Sequence, residues 1–167
     1  MRTAACLFLI AALAACSNEN QTASAPDAAT TEAAAAPAAS SKACDVLTKD
    51  AASKALGRDV QKLDNQGGAG GQDICQFGYQ GERIADAGNV SVTVHPVDLD
   101  SMISGAKAQG YTLEPVAGLG DGAFYSSDVG LYVGKGQRTA HYLLAANGMD
   151  DPRGKVIALA KETVGRL

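Results

Sequence analysis

Val129-Gly130-Leu131-Tyr132-Val133-Gly134-Lys135-Gly136-Gln137-Arg138-Thr139-Ala140-His141-Tyr142-Leu143-Leu144-Ala145 is the stretch that decides the fold. Two apolar runs, 129–133 and 138–145, flank a short glycine-containing turn, Gly134-Lys135-Gly136-Gln137, and so read as a β-hairpin. A hairpin joins antiparallel strands, whereas parallel strands need a crossover of a dozen or more residues. Upstream, residues 89–95 alternate cleanly: Val90, Val92 and Val94 point one way, Ser91, Thr93 and His95 the other. Residues 74–79 place Cys75, Phe77 and Tyr79 on one face, and residues 123–126 form a further short strand.

Three helices complete the pattern. Thr48 is placed to cap a first helix with Ala51, Ala52, Ala55 and Leu56 at helical spacing, stopped by Gly57. Asp98 caps a second that buries Leu99, Met102, Ile103 and Ala106 and ends at Gly110. Asp151 and Pro152 open a third as N-cap and first residue, with Val156, Leu159, Ala160, Thr163 and Leu167 inward. The expectation is an α+β domain: a mainly antiparallel sheet of about five strands with three helices, in the order helix-strand-strand-helix-strand-strand-strand-helix, helices lying on one or both faces.

The N-terminus is built differently. Arg2, an apolar run over residues 4–13 and small residues before a cysteine have the order of a secretory leader. The run is far short of the ~20 residues a spanning helix needs. Leu13-Ala14-Ala15-Cys16 resembles the lipobox of bacterial lipoproteins. That resemblance implies cleavage before Cys16 and acylation of its thiol, and hence a lipid bilayer as the first partner; a plain signal peptide cut after Ala14 or Ala15 is the alternative. One acyl chain anchors only marginally, two or more stably, and the resemblance implies several. Ser17 rather than Asp after Cys16 implies, by the same resemblance, the outer membrane of a two-membrane envelope, facing the periplasm. The expected organisation is therefore a leader over 1–15, a lipidated Cys16 with an Ala/Pro/Ser/Thr linker to residue 41, and one globular domain over 42–167. The linker lacks large apolar side chains and cannot offset the entropy of ordering.

Charge and cysteine usage fit an exported domain. The net charge of -4 becomes -5 once Arg2 leaves with the leader, and no run of Lys and Arg exists, which argues against nucleic acid as a partner. With Cys6 lost and Cys16 acylated, Cys44 and Cys75 remain, and in an oxidising compartment they most simply pair. As metal ligands they would supply half a zinc site with no nearby His, so neither metal nor other cofactor is expected.

Ala43-Cys44-Asp45-Val46-Leu47-Thr48, the second Cys75 at a strand, and Gly118-Leu119-Gly120-Asp121-Gly122-Ala123 lie in an order that resembles a family of small bacterial envelope lipoproteins of unknown function, best known from actinobacteria. The resemblance runs from Ala43 to the C-terminus. It implies an α+β sandwich and a binding role, and it transfers no catalytic residue. Phe77 stands where a Trp often follows the second Cys.

The catalytic signals are weak. Gly118, Gly120, Asp121 and Gly122 look like a phosphate-cradling loop, but a strand rather than a helix follows, so a structural tight turn is expected. Ser104-Gly105-Ala106-Lys107 matches a Ser-x-x-Lys motif but falls in a helix, with no Lys-Thr-Gly after it. His95 and His141 are the only imidazoles, each on a strand, and they converge only if those strands are neighbours. Tyr125, Tyr132, Arg138 and those two histidines form the candidate binding surface. The expected function is a non-catalytic binding or interaction module for an unknown envelope ligand or protein. An inhibitor or immunity lipoprotein against an envelope-attacking enzyme is the alternative, using the Gly118 to Gly122 turn or the 134–137 hairpin as a plug. A small periplasmic enzyme ranks third.

Overall fold

The valine alternation in residues 88–95 becomes the middle of a seven-stranded, wholly antiparallel sheet in the computed structural model, which describes residues 42–63 and 72–167. Cys16, the expected leader and linker, and the expected loop over Gly67-Gly68-Ala69-Gly70-Gly71 lie outside the described residues. The strands are β1 Gln61–Lys62, β2 Asp73–Tyr79, β3 Gly88–His95, β4 Glu114–Pro115, β5 Gly122–Ser126, β6 Gly130–Lys135 and β7 Arg138–Ala146, arranged β1-β2-β3-β7-β6-β5-β4. The helices are α1 Ala43–Val46, α2 Lys49–Leu56, α3 Leu99–Ala108 and α4 Pro152–Thr163.

The α+β class and the antiparallel sheet hold, but the counts change from about five strands and three helices to seven and four. The additions are the elements too short to show a period. β1 and β4 are two-residue strands at the sheet's two edges, a length that leaves little backbone for a foreign strand to pair with. α1 is a single turn before Thr48, whose backbone amide Ala43 N–H donates to Asp73 Oδ2 at 2.8 Å. The three expected caps are in place: Thr48 Oγ1 accepts from Ala51 N, Asp98 Oδ1 from Ser101 N and Asp151 Oδ1 from Gly154 N.

Helices cover both sheet faces. On the core face, Cys75, Phe77, Val90, Val92, Val94, Leu131, Val133, Ala140 and Tyr142 are buried beneath α1, α2 and α4. Tyr142, fully buried, places its hydroxyl 3.0 Å from Thr163 Oγ1 of α4. The Cys44–Cys75 disulfide joins α1 to β2 across 31 residues of chain. Such a crosslink stabilises mainly by limiting the unfolded chain, by ~3.5 kcal/mol for a loop of this size.

On the outer face, the chain leaves the sheet centre at His95 and must reach the far edge at β4. It does so through α3, which packs against β5, β6 and β7. Gly134 makes this approach possible: a Cβ there would lie 2.7 Å from Leu99 Cβ. The hairpin read from the sequence is confirmed, with Lys135 opposite Arg138 and a two-residue loop in which Gly136 has φ +60°, the pattern of a type II′ turn.

Candidate functional site

Strand order decides which candidate residues meet. β3 and β7 are neighbours, and their register sets Thr93 opposite His141 and His95 opposite Thr139. Both histidines therefore stand on the outer face, with ring centroids 6.2 Å apart and planes tilted by 37°. Tyr132, opposite His141 on β6, stacks on its ring at 4.4 Å and 9°. The convergence that depended on adjacent strands is thus realised for His95 and His141, and Tyr132 stacks on the second of them.

Tyr125 and Arg138 do not join them. Tyr125 pairs with Leu131 on the core face, where the Arg153 guanidinium lies 5.2 Å over its ring and pairs with Glu114 at 2.7 Å. Arg138 shares by alternation the face of Ala140 and Tyr142. A single-residue change in strand parity separates the five candidates into two groups on opposite sides of the sheet.

The histidine cluster has definite electrostatics. His141 Nε2 donates to the carbonyl of Val129, which leaves Nδ1 as its bare nitrogen. His95 Nε2 is buried without a hydrogen-bond partner among the described residues. Burial lowers the pKa of His95. It also lowers that of His141, with the Val129 carbonyl opposing and His95 reinforcing the shift. Burial raises the Tyr132 phenol above its ordinary value. Both imidazoles are therefore neutral at neutral pH. Among the described residues no three His, Cys, Asp or Glu side chains gather into a metal cluster.

The glycine-rich turn packs onto the sheet. Leu119 enters the core, Gly118 and Gly120 have positive φ, and Asp121 Oδ2 accepts from Gly136 N at 2.7 Å. The turn is thereby braced against the β6–β7 hairpin.

A second feature was not singled out in the sequence. β6 pairs with β7 only from Arg138 to Tyr142, yet β7 continues to Ala146. Beside this overhang lies a groove of about 430 Å3, lined by Tyr125, Ser127, Asp128, Leu143, Ala145 and Asn147 among others. The two-residue hairpin makes Lys135 and Arg138 a hydrogen-bonded pair, so Arg138, Ala140 and Tyr142 bond to β6, and the odd-numbered residues bond to β3. By the same alternation the amide and carbonyl of Leu144 and the amide of Ala146 face the groove. Its opposite wall is the three-residue β5–β6 loop, which closes at Gly130 with φ +85°. Neither histidine lines the groove, but the His141–Val129 bond fixes that wall. The signal was legible: the second apolar run of the hairpin is three residues longer than the first.

Among the described residues no helix is long and apolar enough to cross a membrane. No family model, no curated protein and no solved structure matches the chain.

Proposed function

We propose that this is a lipid-anchored envelope protein with a non-catalytic binding domain, and that its recognition site is the groove beside the end of β7. The observation that carries the reading is the overhang of β7. It directs peptide amides and a carbonyl into a recess with mixed polar and apolar walls, which suits an extended ligand that can complete the ladder. Asp128, exposed on the groove wall and without an ion-pair partner among the described residues, favours a ligand with a positive group. The anchor rests on Cys16 and its lipobox-like context, and the linker supplies reach: ~80 Å extended, ~25–30 Å as a coil.

The test is site-specific photo-crosslinking in cells, with the probe at Ser127 in the groove or at Lys161 on the exposed side of α4. The binding reading expects an adduct from Ser127 and none from Lys161. Equal labelling from both positions, or none from Ser127, contradicts it.

The inhibitor reading retains one supporting observation. The two turns it would use are cross-braced by the Asp121–Gly136 bond into a single exposed knob, the kind of rigid projection that enters an active site with little ordering cost.

A further inference from the structure

We infer that His95 and His141 form a two-imidazole site for a soft monovalent d10 cation, Cu(I). The inference is independent of the groove and of its ligand. A buried polar atom without a partner calls for an explanation in a bound water or ion, and His95 Nε2 is such an atom. The second imidazole stands beside it, at a centroid separation of 6.2 Å. His141 is prepared in the way metal-bound histidines are: Nε2–H is held by a backbone carbonyl, which fixes the ring and leaves Nδ1 as the basic nitrogen. Stacking on Tyr132 fixes the ring plane as well.

The separation leaves room for a single ion between the rings, and the number of ligands points to which ion. An imidazole nitrogen binds zinc at ~2.0–2.1 Å and a two-coordinate ion slightly closer, so the metal lies roughly 3.0–3.2 Å from the ring centroid. Two rings on one ion then have centroids ~5.2 Å apart at a tetrahedral angle and ~6.0–6.4 Å apart when the ligands are opposed. The observed 6.2 Å is close to the opposed limit. The 37° tilt between planes is compatible with it, since two rings on one ion need not be coplanar. Near-linear two-coordination is the preference of Cu(I), and it removes the need for a third protein ligand. A Zn(II) site would want four ligands in a tetrahedron, and the described residues offer no cluster of three. Burial keeps both rings neutral, the form that ligates.

The test is anaerobic titration of the full lipoprotein in detergent with Cu(I) alone, in competition with a chromogenic Cu(I) chelator, while the histidine ring nitrogens are followed by NMR. The parent chain should take up one equivalent that shifts His95 Nε2 and His141 Nδ1. His95→Gln and His141→Gln, each checked for an unchanged circular dichroism spectrum, should each weaken that uptake by more than about a hundredfold. An unacylated Cys16 thiol would bind Cu(I) in the parent and both variants alike, so the difference isolates the histidines. Should one variant unfold, the other and the parent's ring shifts still decide. Uptake that leaves the histidine rings unshifted, or that survives either substitution in a folded variant, overturns the inference.

Discussion

His141 Nε2 donates to the carbonyl of Val129, so the residue at the centre of the imidazole pair also holds the loop that walls the groove. Val129 closes the β5–β6 loop just before Gly130, and Ser127 and Asp128 precede it. Removing the imidazole donor should loosen that loop. In His141→Ala, amide exchange at Ser127, Asp128 and Val129 should accelerate, while exchange in β2 stays as it was. Unchanged protection across the loop would show that the bond does not organise the wall.

The pair should also set an acid limit on stability. Both folded pKa values lie below the ordinary ~6.5, so the unfolded chain binds more protons as pH falls. The sign is loss of stability below about pH 6.5, continuing down to the lowered folded values. The double variant His95→Gln/His141→Gln should melt with a visibly flatter pH dependence between pH 7 and 5 than the parent. Parallel curves would place the imidazoles in solvent.

Removing the disulfide should cost ~2–4 kcal/mol in the Cys44→Ser/Cys75→Ser variant, read from denaturant unfolding. The bond closes a 31-residue separation and ties α1 to the sheet. Free thiols titrating in the folded protein purified under oxidising conditions, or a variant as stable as the parent, would contradict that role.

Two glycines of one turn should behave differently. Gly118 and Gly120 both have positive φ, but a Cβ at Gly118 meets nothing within 4 Å, whereas at Gly120 it overlaps the Gly134 carbonyl. Gly118→Ala should cost the left-handed penalty alone, ~1–2 kcal/mol. Gly120→Ala should cost more, because the brace onto β6 must also move. Equal losses in thermal unfolding would refute the docking of the turn.

Cys16→Ser should abolish incorporation of a fatty-acid analogue, since acylation needs the thiol. Label retained on the variant would end the claim of a lipid anchor.

Much of the fold was legible because its signals are local. Thr48, Asp98, Asp151 and Gly136 announce caps and a hairpin through chemistry that acts within four residues. Val90, Val92 and Val94 reveal a face through alternation. β1, β4 and α1 escaped because two to four residues carry no period, and they exist through pairing with or packing on longer neighbours. The candidate site was legible only in part. His95 and His141 meet because β7 returns to pair with β3 from the far edge, a long-range choice that neither strand encodes locally. Tyr125 and Tyr132 fall on adjacent strands, which suggests one surface, but strand parity puts them on opposite faces.

The most direct test of the account is complementation of a deletion strain by Asp128→Lys/Leu143→Arg. These two exposed groove side chains carry none of the core. The account predicts loss of complementation with lipidation and melting temperature unchanged. Full complementation by the folded, anchored double variant would contradict it.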